Sequence, residues 1–325
     1  MNVARNAQSA LSLRNNPSTS NTRPRPIIVT GPTGVGKSSF AAALAVRLGG
    51  EVIGADAYQI YAGLPVLTAQ PSPELQALVP HHLIGFLDLR ESFDVARYLS
   101  LAHATIKDIQ SRNRIPIITG GTGLYLKSLT HGLAQLPPVD PLLREQIATL
   151  SLPTAIEKLA ALDPEAPDQI DLCNPVRVRR ALEIVLSTGR PLAKAREQWN
   201  STSSAALEFS GLTLLRPREE LHSRIHSNVE SLFKCGVVEE VRLAQQAGLT
   251  ASKAIGYREI QALLRGETTL AECRESIIIA TRQYAKRQIT WCRTQLPFPA
   301  FNLSNGLGEK ETLDSALALL NISTK

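Results

Sequence analysis

Ile27-Ile28-Val29-Thr30-Gly31-Pro32-Thr33-Gly34-Val35-Gly36-Lys37-Ser38 reads as an apolar strand passing directly into G-x-x-x-x-G-K-S, the pattern of a phosphate-binding loop. The glycines let backbone N–H groups turn inward on an anion, and the helix that follows offers its positive amino end. Lys37 adds a point charge, and Ser38 is placed to ligate magnesium. Phe40, Leu44 and Leu48 recur at four-residue spacing, so Lys37 to Leu48 reads as that helix. Strand, loop and helix therefore stand in the required order. The motif leaves open what carries the phosphates, because nucleotides, phosphorylated metabolites and prenyl diphosphates all present the same group.

Outward from the loop, strand and helix signals alternate. Apolar segments at 51–55, 82–87 and 115–119 read as strands, with a long helix over 93–111. Pro137, Pro138 and Pro141 interrupt the alternation, and the chain then reads as helical and Pro-punctuated to about Asn200. Ser201 to Ser204 marks the exit, and Leu212 to Leu215 reads as a strand returning to the sheet. Helices are expected over about 217–247, 252–265 and 268–295. The fold class is α/β: a P-loop NTPase-like parallel sheet with helices on both faces and an inserted all-helical subdomain. The expected organisation is a tail over 1–25, a core over 26–130 plus 211–325, and an insertion over 131–210.

Composition narrows the classes. With 325 residues, 43% of them hydrophobic, the chain is an ordinary soluble protein in composition, and its apolar runs fall short of the roughly 18 residues a membrane helix needs. Cysteines at 173, 235, 273 and 292 fit neither a zinc site nor a disulfide framework, which suits a reducing compartment. The formal charge of +6 is carried by Arg5, Arg14, Arg23, Arg25, Lys37 and Arg47, because the first acidic residue is Glu51. Overall charge is thus silent on a nucleic-acid surface, and local clusters must carry that argument. The acid-free, Asn-, Ser- and Arg-rich tail reads as a disordered segment in a cytoplasmic protein, with organellar import as the alternative. Without a heptad pattern, a monomer is the expected state.

In a parallel sheet ligands bind beyond the carboxyl ends of the strands. Besides the loop, Asp56 follows the strand at 51–55, and Gly120-Gly121-Thr122-Gly123 follows the strand at 115–119. An ATPase usually ends that second strand in an Asp that holds magnesium, and this chain does not. Asp56 is then a magnesium ligand, a base that takes a proton from an incoming nucleophile, or a turn residue. Arg177, Arg179 and Arg180 cluster in the insertion. Thr281 to Arg293 carries four positive charges and no negative one, with Arg282 and Lys286 on one helical face. Such a stripe tracks an RNA backbone or is a solvated helix face. Two readings remain open: a P-loop kinase of a small metabolite and a non-catalytic RNA-binding protein.

Seven motifs in order narrow this further. They are Gly31-Pro32-Thr33-Gly34-Val35-Gly36-Lys37-Ser38, Asp56-Ala57-Tyr58-Gln59-Ile60-Tyr61, Pro80-His81-His82-Leu83 and Gly120-Gly121-Thr122-Gly123-Leu124-Tyr125. Asn174-Pro175 with its Arg run, Ala254-Ile255-Gly256-Tyr257-Arg258-Glu259 and Thr281-Arg282-Gln283-Tyr284-Ala285-Lys286-Arg287-Gln288 complete the set. Together they resemble the bacterial tRNA dimethylallyltransferases. That resemblance implies transfer of a dimethylallyl group from dimethylallyl diphosphate to the exocyclic amine of the adenosine 3′ of the anticodon, with Mg2+ as the ion. It implies that Gly31, Thr33, Gly34, Val35, Gly36, Lys37 and Ser38 cradle the diphosphate, that Ser38 meets the magnesium, and that Asp56 is the base. Thr122 assists catalysis by the same match, Gln59 and Thr122 help hold the flipped adenine, and Asp56, Ala57 and Tyr58 contact the tRNA. A prenyltransferase acting on free adenosine phosphate is the rival within this chemistry. Arg144, Arg177, Arg179, Arg180, Lys253, Tyr257, Arg258, Arg282, Lys286 and Arg287 would contact the tRNA anticodon stem-loop. Two positions depart from the family pattern: Asn228 stands where an Arg usually helps hold diphosphate, and Gln70 where a Lys is usual. Arg224 is the expected compensating cation. His81 and His82 are expected to be structural.

Overall fold

The computed structural model of the protein describes residues 24–133, 139–201, 208–303 and 306–322. Six parallel strands form one sheet: β1 (Ile27–Thr30), β2 (Glu51–Gly54), β3 (His81–His82), β4 (Pro116–Gly120), β5 (Ser210–Leu215) and β6 (Ala300–Asn302), in the order β3-β2-β4-β1-β5-β6. β1 is central, with Ile28 beside Ile118 on one side and Gly211 on the other. Strand side chains alternate between two cores. Ile27, Val29, Val52 and Ile117 pack with Phe40, Leu44 and Leu317 on one face, and Ile28, Ile53 and Ile118 with Tyr98, Ile106 and Leu126 on the other.

The first helix, α1 (Lys37–Leu48), follows Gly36, whose φ of 104° is a left-handed conformation that favours glycine. It is followed by α2 (Pro73–Leu78), α3 (Val95–Ser111) and α4 (Gly123–His131). The Asp94 carboxylate caps α3 by accepting from the Arg97 amide. The inserted segment forms α5 (Pro141–Thr149), α6 (Leu152–Leu162), α7 (Pro175–Thr188) and α8 (Leu192–Ser201). α7 has Asn174 as its cap, Pro175 in its first turn and Gly189 at its end, the pattern expected of a well-delimited helix. These helices enclose a core of their own, built on Ile147, Leu159, Val178, Leu182 and Leu192. α9 (Arg218–Lys234), α10 (Val237–Leu243), α11 (Tyr257–Leu264), α12 (Leu270–Gln295) and α13 (Glu309–Leu319) complete the chain.

Several boundaries differ from the sequence expectation. The strand expected over 82–87 shrinks to His81–His82, because Leu83 and Gly85 both take positive φ and turn the backbone out of register. The helix expected over 217–247 is two, divided at Gly236 in the left-handed region. The helix expected from 252 starts at Tyr257, after a 3-10 turn over Ala251–Lys253. α2, α4, β6 and α13 are additions. Pro24 and Arg25, placed in the tail by sequence, already touch the fold: Gln110 donates to the Pro24 carbonyl and Arg25 to that of Phe209. The rest of the tail, Pro137, Pro138 and the exit residues Thr202 to Ser204 lie outside the described residues.

Candidate active site

The phosphate loop closes on itself through Val35, whose amide donates to the Pro32 carbonyl, and through Lys37, whose Nζ donates to the same oxygen at 2.9 Å. Burial lowers the Lys37 ammonium from its usual 10.5 to about 8, and the nearby Asp56 carboxylate only partly opposes this. Two arginines approach the loop. Arg224 on α9 donates from Nε to the Gly34 carbonyl at 2.9 Å, and Arg216, immediately after β5, donates from Nε to that of Val35 at 2.8 Å. Burial and the adjoining Arg216 charge both lower the Arg224 pKa, while Glu220, paired with Arg216, works against them. Two guanidiniums this close to a loop built for anions favour binding of a highly charged phosphate group.

Gln288 joins the loop to the end of β4. Its side-chain oxygen accepts from the Thr33 amide at 2.8 Å and its amide donates to the Gly121 carbonyl at 3.0 Å. A Cβ on Gly121 would stand 2.1 Å from the Gln288 amide nitrogen, so the glycine is required by that close approach. The Thr33 N–H is therefore held by protein and does not point at an anion, unlike the cradle role expected of it.

A cavity opens beside the loop. Thr33, Gly34, Asp56 and Tyr58 line it together with Thr281 and Tyr284, while Leu67, Ile225, Val229, Leu232 and Ile277 form its apolar wall. Asp56 is half-buried, and one carboxylate oxygen accepts from the Tyr58 amide at 3.0 Å. Burial, with the Asp56 charge second, pushes the Tyr284 pKa far up, so its hydroxyl stays protonated. Arg287 lies over the Tyr284 ring at 5.7 Å, linking the exposed face of α12 to the cavity.

The residues picked from the sequence divide into those at the cavity and those behind it. Thr122 accepts from the Ala57 amide at 2.9 Å, and the Gln59 amide donates to the carbonyls of Thr68 and Ala69 at 3.2 and 2.8 Å; neither side chain lines the cavity. Tyr257 is a correction. It is only 6% exposed, and its hydroxyl donates to the Ala244 carbonyl, so its ring belongs to the core and not to an RNA surface. Lys253, Arg258, Lys286 and Arg287 are exposed, whereas Arg282 is half-buried. In the insertion Arg177 is exposed, Arg179 donates to the Leu150 carbonyl, and Arg144 and Arg180 both pair with Glu183. The departures also separate: Asn228 lines the cavity, whereas the Gln70 amide donates to the carbonyls of Gln59 and Tyr61 and serves the turn between them.

Arg216, Gln288 and the apolar wall were not among the residues chosen from sequence. Arg216 follows β5 directly, so the strand-end rule applied to β1, β2 and β4 would have found it. The wall comes from three separated segments and has no local signature. His82 pairs with Glu51 at 2.7 Å at the amino end of β2, away from Asp56, and so is structural as expected.

The family profile described as IPP transferase matches residues 59–295. A tRNA dimethylallyltransferase of a Caulobacter species is 42% identical over 282 residues, 83% of this chain and 90% of that protein. One from Anaeromyxobacter dehalogenans is 44% identical over 280 residues, 83% of this chain and 92% of that protein. Among solved structures, the full-length tRNA isopentenylpyrophosphate transferase of Bacillus halodurans matches with a TM-score of 0.67 at 32% identity, covering 91% of this chain and 97% of that one. A eukaryotic dimethylallyltransferase acting on tRNA shares the fold, with a TM-score of 0.76 at 24% identity.

Proposed function

The chain belongs to the IPP transferase family, and from that premise we infer that it is a tRNA prenyltransferase, moving a dimethylallyl group from dimethylallyl diphosphate to the exocyclic amine of the adenosine 3′ of the anticodon. One observation supports this reading most strongly: a single cavity is lined both by the phosphate loop with Asp56 and by an apolar wall. A kinase of a small polar metabolite has no use for that wall. A diphosphate ester of a branched hydrocarbon needs both kinds of lining.

The chemistry follows from the residues. Adenine's exocyclic amine is a weak nucleophile, because its lone pair is delocalised into the ring. A carboxylate at Asp56 accepts its proton as the new C–N bond forms and the C–O bond to diphosphate breaks. The allylic carbon tolerates positive charge, so the barrier lies largely in stabilising the departing diphosphate. Loop amides, Lys37, Arg216 and Arg224 supply that stabilisation. The Lys37 side chain, bonded to the Pro32 carbonyl and near the Asp56 charge, is preorganised for it. The apolar wall keeps water from the allylic carbon. The adenosine is stacked in its loop in free tRNA and must be flipped out to be reached. Tyr58 and Tyr284 then offer it aromatic surface beside Asp56.

Magnesium fits the site as an ion held mainly by substrate. No group of three or more His, Cys, Asp or Glu side chains able to hold a metal occurs among the described residues. Ser38, in the first turn of α1, offers a hydroxyl next to the loop, and magnesium commonly takes one or two protein ligands with phosphate oxygens and water. Bound there, the ion would neutralise charge on the leaving diphosphate. A monomer, and the cytoplasm as its location, complete the proposal; no described helix is long and apolar enough to cross a membrane.

The test is incubation with labelled dimethylallyl diphosphate, magnesium and an unmodified tRNA bearing adenosine beside its anticodon, followed by nucleoside analysis. Label is expected on that adenosine. Label on free adenosine phosphate in preference to tRNA would support the free-nucleotide reading instead.

A further inference from the structure

We propose that Glu240 is a positioning residue that sets the width of the apolar half of the cavity, and with it the size of prenyl group the protein accepts. The proposal deepens the transferase reading and rests on it. Glu240 lies on α10, outside the phosphate loop and the basic stripe. Its half-buried carboxylate accepts from two successive backbone amides, Val66 and Leu67, both at 2.7 Å.

Those amides belong to the segment that supplies Leu67, Thr68 and Ala69 to the cavity. α9 lines the same cavity through Ile225, Val229 and Leu232, and α9 turns into α10 at Gly236. The carboxylate thus ties the segment carrying Leu67 to the helix that continues from α9. On the far side the segment is anchored to the turn after β2, where Gln59 donates to the Thr68 and Ala69 carbonyls and Gln70 donates back to Gln59 and Tyr61. With the β2 anchor fixed, the Glu240 latch determines how far Leu67 stands from α9. Leu67 has little slack of its own, since a Cβ on Gly256 would lie 2.9 Å from its Cδ1.

A carboxylate is suited to this task because it accepts at both oxygens, and charge-assisted bonds of this kind are stronger than neutral ones. Glu240→Gln keeps the shape but turns an NH2 group towards one of the two amides. One bond is lost and a donor meets a donor. The wall is then free to retreat from α9.

The experiment compares wild type, Glu240→Gln and, as control, Glu239→Gln, whose parent residue pairs with Arg242 on the surface. KM and kcat are measured with dimethylallyl diphosphate and geranyl diphosphate, together with the affinity for tRNA. Expected for Glu240→Gln is a KM for dimethylallyl diphosphate raised roughly tenfold. Its kcat and tRNA affinity should stay near wild type, and its relative use of the geranyl ester should rise. Wild-type values for both esters would overturn the proposal, as would an equal loss in kcat with no change in selectivity. Should Glu240→Gln fail to fold, hydrogen exchange on the wild-type protein decides: slow exchange at the Val66 and Leu67 amides supports the latch, and exchange at the rate of an open loop overturns it. A wild-type protein that transfers no dimethylallyl group to tRNA defeats the transferase reading instead, and hydrogen exchange still judges the latch.

Discussion

At Lys37 burial and charge compete, and the outcome sets how the loop responds to pH. With its pKa lowered to about 8 by burial, the ammonium of the free protein loses its proton as pH rises through that value. Bound diphosphate favours the charged form, so binding takes up a proton above pH 8, and affinity falls as pH rises. The affinity for inorganic diphosphate, measured by calorimetry, should weaken above pH 8 by up to about tenfold per unit. Lys37→Arg, charged throughout, should remove that dependence. Arg224 is the second residue with a sharp expectation. It donates to the Gly34 carbonyl close to Asn228, so Arg224→Ala should raise the KM for dimethylallyl diphosphate about tenfold, as loss of a charged donor generally does. An unchanged KM and turnover would remove Arg224 from the diphosphate site. Both residues were visible in the sequence through motif position. Gln288 stood inside a quoted motif without a task, because its two hydrogen bonds join loops more than a hundred residues away from it.

Among the elements, the amino end of β2 carries the most concentrated charge pairing in the core. Glu51 is 1% exposed and accepts from Arg112, Arg114 and His82. Burial pushes its pKa up, but the hydrogen bonds from Arg112 and His82 outweigh that, and the carboxyl ends below its ordinary range. Its contribution to stability is therefore present above the usual carboxylate range and lost as pH falls through it. Glu51→Gln should destabilise the protein by about 2 kcal/mol at neutral pH in denaturant titrations, since Arg112 and Arg114 are half in water and screening limits the loss. The wild-type advantage should shrink as pH falls below the usual carboxylate range. The sequence was legible wherever a motif or strong period constrains the element: β1 and α1 fall on the expected residues, 27–30 and 37–48. It was misleading at β3, where an apolar run suggests a strand but Leu83 at φ 58° breaks the pairing. α4 was hidden by the glycines that open it, and the three residues of β6 are too few to show a period.

Over the whole molecule, the phosphate site, the cavity and the basic surface form a sequence of environments from buried to exposed, joined where Arg287 stacks on Tyr284. Arg258 and Lys286 are exposed, so their contribution to tRNA binding should be electrostatic and sensitive to salt. In the double variant Arg258→Ala with Lys286→Ala, the slope of log affinity against log salt should fall in magnitude by about 1.5, with the KM for dimethylallyl diphosphate unchanged. The division of labour between that surface and the cavity rests on Asp56, which lines the same cavity as the phosphate loop, the apolar wall and Tyr284. The most direct measurement is the single-turnover rate of dimethylallyl transfer by Asp56→Ala, with tRNA affinity measured alongside. The account predicts a rate lowered by about a hundredfold or more with tRNA binding retained. Transfer at the wild-type rate would contradict it.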